Sequence, residues 1–107
     1  MIYMSETKTV TQDAVFDALR EVVDPELGIN LVDLGLIYGV EIDEGQVQVD
    51  MTLTTPGCPM HSYIARQAWM AVNDLPGVAE TSVRVVWEPR WTPDRLSPAA
   101  RAQLGIT

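Results

Sequence analysis

Between Val47 and Thr54 the chain alternates. Val47, Val49, Met51 and Leu53 are apolar, and Gln48, Asp50, Thr52 and Thr54 are polar. A two-residue repeat belongs to a strand with one face on a core and the other toward water or a partner. The period then lengthens: Ile64, Ala68, Val72 and Leu75 recur at helical spacing, with Ala65 and Ala71 beside them. The two patterns meet at Thr55-Pro56-Gly57-Cys58-Pro59. A strand over 46–54 therefore runs into a turn, and a helix over about 59–74 follows. Proline suits the first helical position, where its missing N–H costs nothing, so Cys58 falls at or next to the N-cap.

The remaining elements follow from the same kind of reading. Thr11 caps a first helix whose stripe is Val15, Leu19, Val22 and Val23, about three turns long and stopped by Pro25. A strand over 36–42 is joined to the next by a hairpin turn at Asp43-Glu44-Gly45. Residues 80–88 read as a third strand, with Val83, Val85 and Trp87 on one face. Ser97 and Pro98 open a short last helix that Gly105 closes. Met60, Trp69 and Met70 belong at the margins of the second helix's stripe, and Trp87 and Trp91 fold the tail back over the sheet or the thiol loop. The order is α-β-β-α-β-α, a small two-layer α+β domain with helices on one face of a three-stranded sheet. Residues 1–10 are a loose N-terminal segment and 11–107 a single domain with its tail. Strand order is not readable from these patterns.

Composition narrows the function classes. Hydrophobic residues make up 47% of the 107, and charged residues 21%, ordinary proportions for one globular core. A net charge of −8 argues against a surface made for phosphate backbones, so no nucleic-acid partner is expected. No apolar run approaches the roughly 18–20 residues of a membrane span, and the first residues carry no secretory pattern. The expected setting is cytoplasmic and reducing. The single cysteine excludes an intrachain disulfide framework and a zinc site built from several cysteines of one chain.

Chemistry concentrates in two stretches. A Cys58 thiolate at a helix start faces free backbone N–H groups and the positive end of the helix dipole, and Gly57 leaves room for a bulky group to approach. The alternative is a small inert hydrophobe. His61, three residues on, shares a face of the first turn, as a metal ligand or as a solvated side chain. In the second stretch, Asp24 sits at the unfavourable end of the first helix, as a functional group or as the cap of a turn opened by Pro25. Asp33 lies between Val32 and Leu34, and once buried it needs donors from loop N–H groups or Asn30.

Together these stretches resemble a known family. Asp24-Pro25-Glu26, Val32-Asp33-Leu34-Gly35-Leu36-Ile37-Tyr38, Met51-Thr52-Leu53-Thr54-Thr55-Pro56-Gly57-Cys58-Pro59 and Trp87-Glu88-Pro89-Arg90-Trp91-Thr92-Pro93 are similar, in that order, to the SufT/PaaD-type iron–sulfur cluster assembly factors. The form Thr54-Thr55-Pro56-Gly57-Cys58-Pro59, without a C-terminal cysteine cluster, resembles the SufT-like branch. The resemblance implies maturation of iron–sulfur proteins, often alongside the SUF machinery, with assembly proteins and client apo-proteins as partners and no enzymatic turnover. It also implies a reactive Cys58, an acidic loop at Asp24 and Glu26, and a pocket that draws on Asn30, Asp33, Thr55 and Gly57. Glu26 is expected in the same pocket as Cys58.

Ligand number bounds the mechanism. A cluster wants about four protein ligands, mostly thiolates. One chain offers Cys58, His61 as a further candidate, and carboxylates, so a stably held cluster requires a homodimer that bridges two Cys58 sulfurs, with the remaining positions filled by small thiols or other groups. Transient binding of a cluster or iron through Cys58 requires no dimer. Two other readings stay open: a passive Cys58 in an adaptor, and a thiol enzyme with Cys58 as nucleophile and His61 as base. The helix-start position predicts a Cys58 pKa below the usual ~8.5. Alkylation rate against pH in the folded protein measures it, and a midpoint at or above that value contradicts the placement.

Overall fold

The computed structural model describes residues 10–54 and 61–105, the side chain of His61 excepted. Its centre is β2 (Gln46–Met51), the middle strand of a three-stranded sheet ordered β1-β2-β3. β1 (Ile37–Asp43) pairs with it antiparallel through a two-residue turn. Glu44 and Gly45 in that turn have φ of 51° and 87°. Two left-handed residues in succession give the hairpin turn whose twist matches its strands. β3 (Glu80–Val85) runs parallel to β2, from Gln46 opposite Glu80 to Met51 opposite Val85. Parallel neighbours cannot be joined by a tight turn, so α2 (His61–Asn73) lies in the crossover between them.

The predicted alternation is what the sheet buries. Val47, Val49, Met51 and Leu53 are all buried, and Val40 joins them from β1. α1 (Gln12–Leu19) packs on β1 and α2, and α2 packs on β3. Val15 and Leu19 from α1 and Ile64, Ala68 and Val72 from α2 complete the core. At its margin Trp69 donates through Nε1 to the Thr81 carbonyl at 3.0 Å, and Thr81 donates to the Asn73 side chain at 3.0 Å. On the polar face Asp50 and Arg84 are cross-strand partners, with Nε–Oδ1 3.1 Å and Nη2–Oδ2 2.9 Å. The Arg84 hydrogen bonds hold the Asp50 carboxyl below the usual carboxylate range. The stability this lends is present above that range and is lost as pH falls through the lowered value.

Several element bounds differ from the sequence reading: β1 and β2 cover 37–43 and 46–51 against the expected 36–42 and 46–54, and others follow. α1 ends at Leu19 with Arg20 as its cap, about two turns long. Beyond it, the Val22 carbonyl accepts from Leu31 N at 3.0 Å, and Val23 bridges to Asn30, so the backbone pairs with the following loop instead of continuing the helix. Val22 keeps its core contact, and Val23 is exposed. β3 stops at Val85 and leaves Trp87 outside the strand. Val10, assigned above to the loose segment, is buried. α2 runs to Asn73; its expected start at Pro59 lies outside the described residues. The caps behave as read: Thr11 Oγ1 accepts from Ala14 N, and Ser97 opens α3 (Pro98–Leu104), which Gly105 closes at φ 78°.

The loop before β1 is anchored into the core by Ile29, Leu31, Leu34 and Leu36, all buried. Within it Gly35 has φ 76°, and a Cβ there would fall onto the Arg95 carbonyl and side chain. Both the left-handed backbone and the close approach of the tail require glycine. Gly35→Ala is expected to destabilise the protein by about 2–4 kcal/mol, from left-handed strain and overpacking together. Chemical denaturation measures it. A loss under about 0.5 kcal/mol would mean that the tail does not pack on Gly35.

Candidate functional site at one end of the sheet

Sheet topology decides which parts of the chain meet. Ile37, Met51 and Val85 are level across the three strands. β2 and β3 are parallel and β1 opposes them, so the residues before β1, after β2 and after β3 all emerge at one end. Two hydrogen bonds continue the ladder there: Thr52 N to Leu36 O at 2.8 Å and Val86 N to Met51 O at 2.8 Å. Three of the sequence motifs thereby come together, although they are far apart in the chain.

The tail closes that end. Trp91, half-buried, donates through Nε1 to the Leu34 carbonyl at 2.7 Å. Ser97 N donates to the Asp33 carbonyl at 2.8 Å. The β1–β2 register slips between Ile37 and Gly39, which leaves Tyr38 as the bulged residue. Its hydroxyl donates to the Pro89 carbonyl at 2.8 Å, and the Arg95 guanidinium lies 4.5 Å from its ring centre. The expectation that Trp91 folds the tail back is met, against the loop before β1.

Between the tail and the end of β2 lies a cavity of about 180 Å³, lined by Thr52, Leu53, Thr54, Trp87, Glu88, Arg90 and Trp91. Two indole rings form apolar walls, and Glu88 and Arg90 bring opposite charges. Thr52 is wholly buried, and its Oγ1 has no hydrogen-bond partner among the described residues. A buried hydroxyl left unpaired costs about 1–3 kcal/mol, so packing among the described residues does not account for a threonine here.

The acidic loop is built differently from the expectation. Asp24 is buried, and its Oδ1 accepts from Glu26 N at 2.7 Å and Leu27 N at 3.1 Å. Of the two readings, the turn cap accounts for its burial. Asn30 and Asp33 bond reciprocally: Asn30 Nδ2 donates to Asp33 Oδ2 at 2.8 Å, and Asp33 N donates to Asn30 Oδ1 at 2.9 Å. Asn30 is thus the donor Asp33 needed. Glu26 is exposed, and neither it nor Asp24, Asn30 or Asp33 lines the cavity beside Thr54. Thr55, Gly57 and Cys58 lie outside the described residues, as does the side chain of His61, the first residue given for α2. The pairing of Glu26 with Cys58, the N-cap placement of Cys58 and a ligand role for His61 therefore concern positions outside them. Among the described residues no group of three or more His, Cys, Asp or Glu is placed to hold a metal, and no helix is long and apolar enough to cross a membrane.

Sequence reasoning assigned no role to Tyr38, Thr52 or Arg90. The bulge that aims Tyr38 leaves no mark in the hydrophobic pattern. Thr52 reads as one more polar position in an alternating strand, and only the tail's return buries it.

Residues 12–85 match the family described as iron-sulfur cluster assembly protein. The chain is 46% identical to the Fe-S protein maturation auxiliary factor YitW of Bacillus subtilis, over 89% of its own length and 94% of the relative's. It is 47% identical to the Fe-S protein maturation auxiliary factor SufT of Staphylococcus aureus, over 80% of its length and 99% of that protein's. Among solved structures, the domain of unknown function DUF59 from Bacillus anthracis is similar with a TM-score of 0.85 and 38% identity, covering 90% of this chain and 92% of that one.

The geometry separates the capping acid of the loop, Asp24, from the exposed one, Glu26. Asp24→Ala is expected to cost about 1–3 kcal/mol, because two backbone N–H groups lose their acceptor. Glu26→Ala is expected to stay within about 0.5 kcal/mol, as exposed substitutions do. Denaturant midpoints of the two variants check this, and equal losses would contradict the capping role.

Proposed function

The chain belongs to the iron–sulfur cluster assembly protein family, and on that premise we propose that it is an auxiliary factor in the maturation of iron–sulfur proteins, with a cluster or iron as transient cargo on the Cys58 thiolate. The observation that carries this is the match to two Fe-S protein maturation auxiliary factors across almost their whole lengths. The fold supports it. Cys58 is the fourth residue after Thr54 and the third before His61, tethered between the strand end at the cavity and the first turn of the crossover helix.

The donor set favours cargo over a resident cofactor. With one cysteine and one histidine per chain, a single copy falls short of the four ligands of a cluster. Two chains that bridge through their Cys58 sulfurs supply two of them and leave the rest to small thiols or other groups, whereas one chain with the giver or receiver draws the missing ligands from that protein. In either case the cluster passes between thiolates and is not consumed, so the activity is hand-over and not enzymatic turnover. The partners are the assembly machinery, of the SUF type, and client apo-proteins in the cytoplasm. The aromatic cavity suits such a hand-over. Trp87 and Trp91 keep water from one side of the strand end, and Glu88 and Arg90 place one charge of each sign at its rim.

Cys58→Ser tests the thiolate directly. Serine caps a helix start at least as well, so stability is expected to change by no more than about 1 kcal/mol. Its hydroxyl is not ionised at neutral pH and is a poor iron ligand. Cells that rely on the variant are expected to lose activity in client iron–sulfur enzymes while the protein stays folded and abundant. Thermal unfolding of the purified variant and client activity in complemented cells are measured together. Full client activity would remove the thiolate from the mechanism and leave an adaptor with a passive Cys58.

A further inference from the structure

Away from the sheet end, a groove of mixed polar and apolar lining gathers exposed apolar side chains beside α2. Val23, Tyr63 and Met70 are 48%, 48% and 44% exposed, and all three line one groove of about 400 Å³ between the segment after α1 and the outer side of α2. Tyr63, Gln67 and Met70 follow at helical spacing along α2, with Asp74 just past its end, beside the stripe of Ile64, Ala68 and Val72 that enters the core. Three large apolar side chains gathered on a water-facing surface mark an interaction site more often than chance exposure does.

The charges around the groove say what fits it. Glu21 and Asp74 line it, and among the described residues no Lys or Arg does. Glu21 follows the end of α1 and Asp74 the end of α2, so the negative ends of two helix dipoles also bear on the groove, and neither helix has a basic residue in its last turn. The nearest cation of α1, Arg20, is bonded to Asp17 at 2.8 Å. A second copy of the chain would bring its own net charge of −8 to this acidic rim, which disfavours self-association here. We propose that the groove docks an amphipathic helical segment of a partner protein, with apolar side chains seated on Val23, Tyr63 and Met70 and lysine or arginine flanks meeting Glu21 and Asp74. Helix-in-groove recognition uses this combination of apolar anchors and complementary rim charges.

The test uses the full iron-free chain, labelled for NMR, and three synthetic peptides. One is amphipathic with leucine on one face and lysine on its flanks, the second carries glutamate in place of lysine, and the third is the lysine peptide scrambled to destroy the apolar face. The lysine peptide is expected to shift Val23, Tyr63, Met70 and Asp74 and to bind at least about tenfold more tightly than the other two. Met70→Asp is expected to abolish the preference for the intact over the scrambled peptide. The double variant with Glu21→Lys and Asp74→Lys is expected to prefer the glutamate peptide, and its unchanged unfolding curve shows that the fold persists. Equal binding of the intact and scrambled peptides, or shifts spread over the acidic surface elsewhere, would reduce the effect to net charge and overturn the proposal. Concentration-dependent shifts of the groove residues without peptide would make a second copy the occupant and overturn it as well.

Discussion

Everything about this domain depends on β2 having a neighbour on each side of opposite sense. The antiparallel partner is reached by a two-residue turn, and the parallel partner can be reached only by a crossover that contains α2. The first pairing places the loop before β1 at the end where β2 finishes. The second sends the chain out of β2 at that end and delivers the tail after β3 to it. Val47, Val49, Met51 and Leu53 hold the arrangement, because a slip of one residue would turn all four from the core to water.

The same topology explains why function gathers where it does. Loop carbonyls and the tail are joined by Trp91 on Leu34, Ser97 on Asp33 and the close packing of Arg95 on Gly35. These contacts leave Thr52 buried beside an aromatic cavity at the root of the segment that carries Cys58. The acidic loop is part of the scaffold: Asp24 closes its own turn, and Asn30 and Asp33 satisfy each other. Glu26, the exposed acid among the candidates, has no side-chain part in that hydrogen bonding among the described residues.

Much of this was legible in the sequence, for identifiable reasons. The alternation of 46–53 and the helical stripe after it gave element types because period reports burial directly. Caps at Thr11, Ser97 and Gly105 were legible because capping is local chemistry. The length of α1 was not, because Val22 and Val23 continue its stripe while their backbone is claimed by Leu31 and Asn30, a non-local choice. Strand order and the cavity were hidden for the same reason. Thr52 and Tyr38 acquire their roles only from a tail that returns from more than thirty residues away in the chain. The motifs resembling the assembly-factor family indicated that the pieces belong together, and the sheet supplies the physical reason that they meet.

The central claim is that Cys58 carries iron–sulfur cargo as a thiolate. Anaerobic loading of the folded chain with iron and sulfide, wild type beside Cys58→Ala, measures this most directly when read as iron and sulfide bound per chain together with absorbance. The account predicts uptake by the wild type of no more than about one cluster per two chains, since a single Cys58 leaves one copy well short of the ligands a cluster needs, and none by the variant. Equal loading of wild type and Cys58→Ala would contradict it.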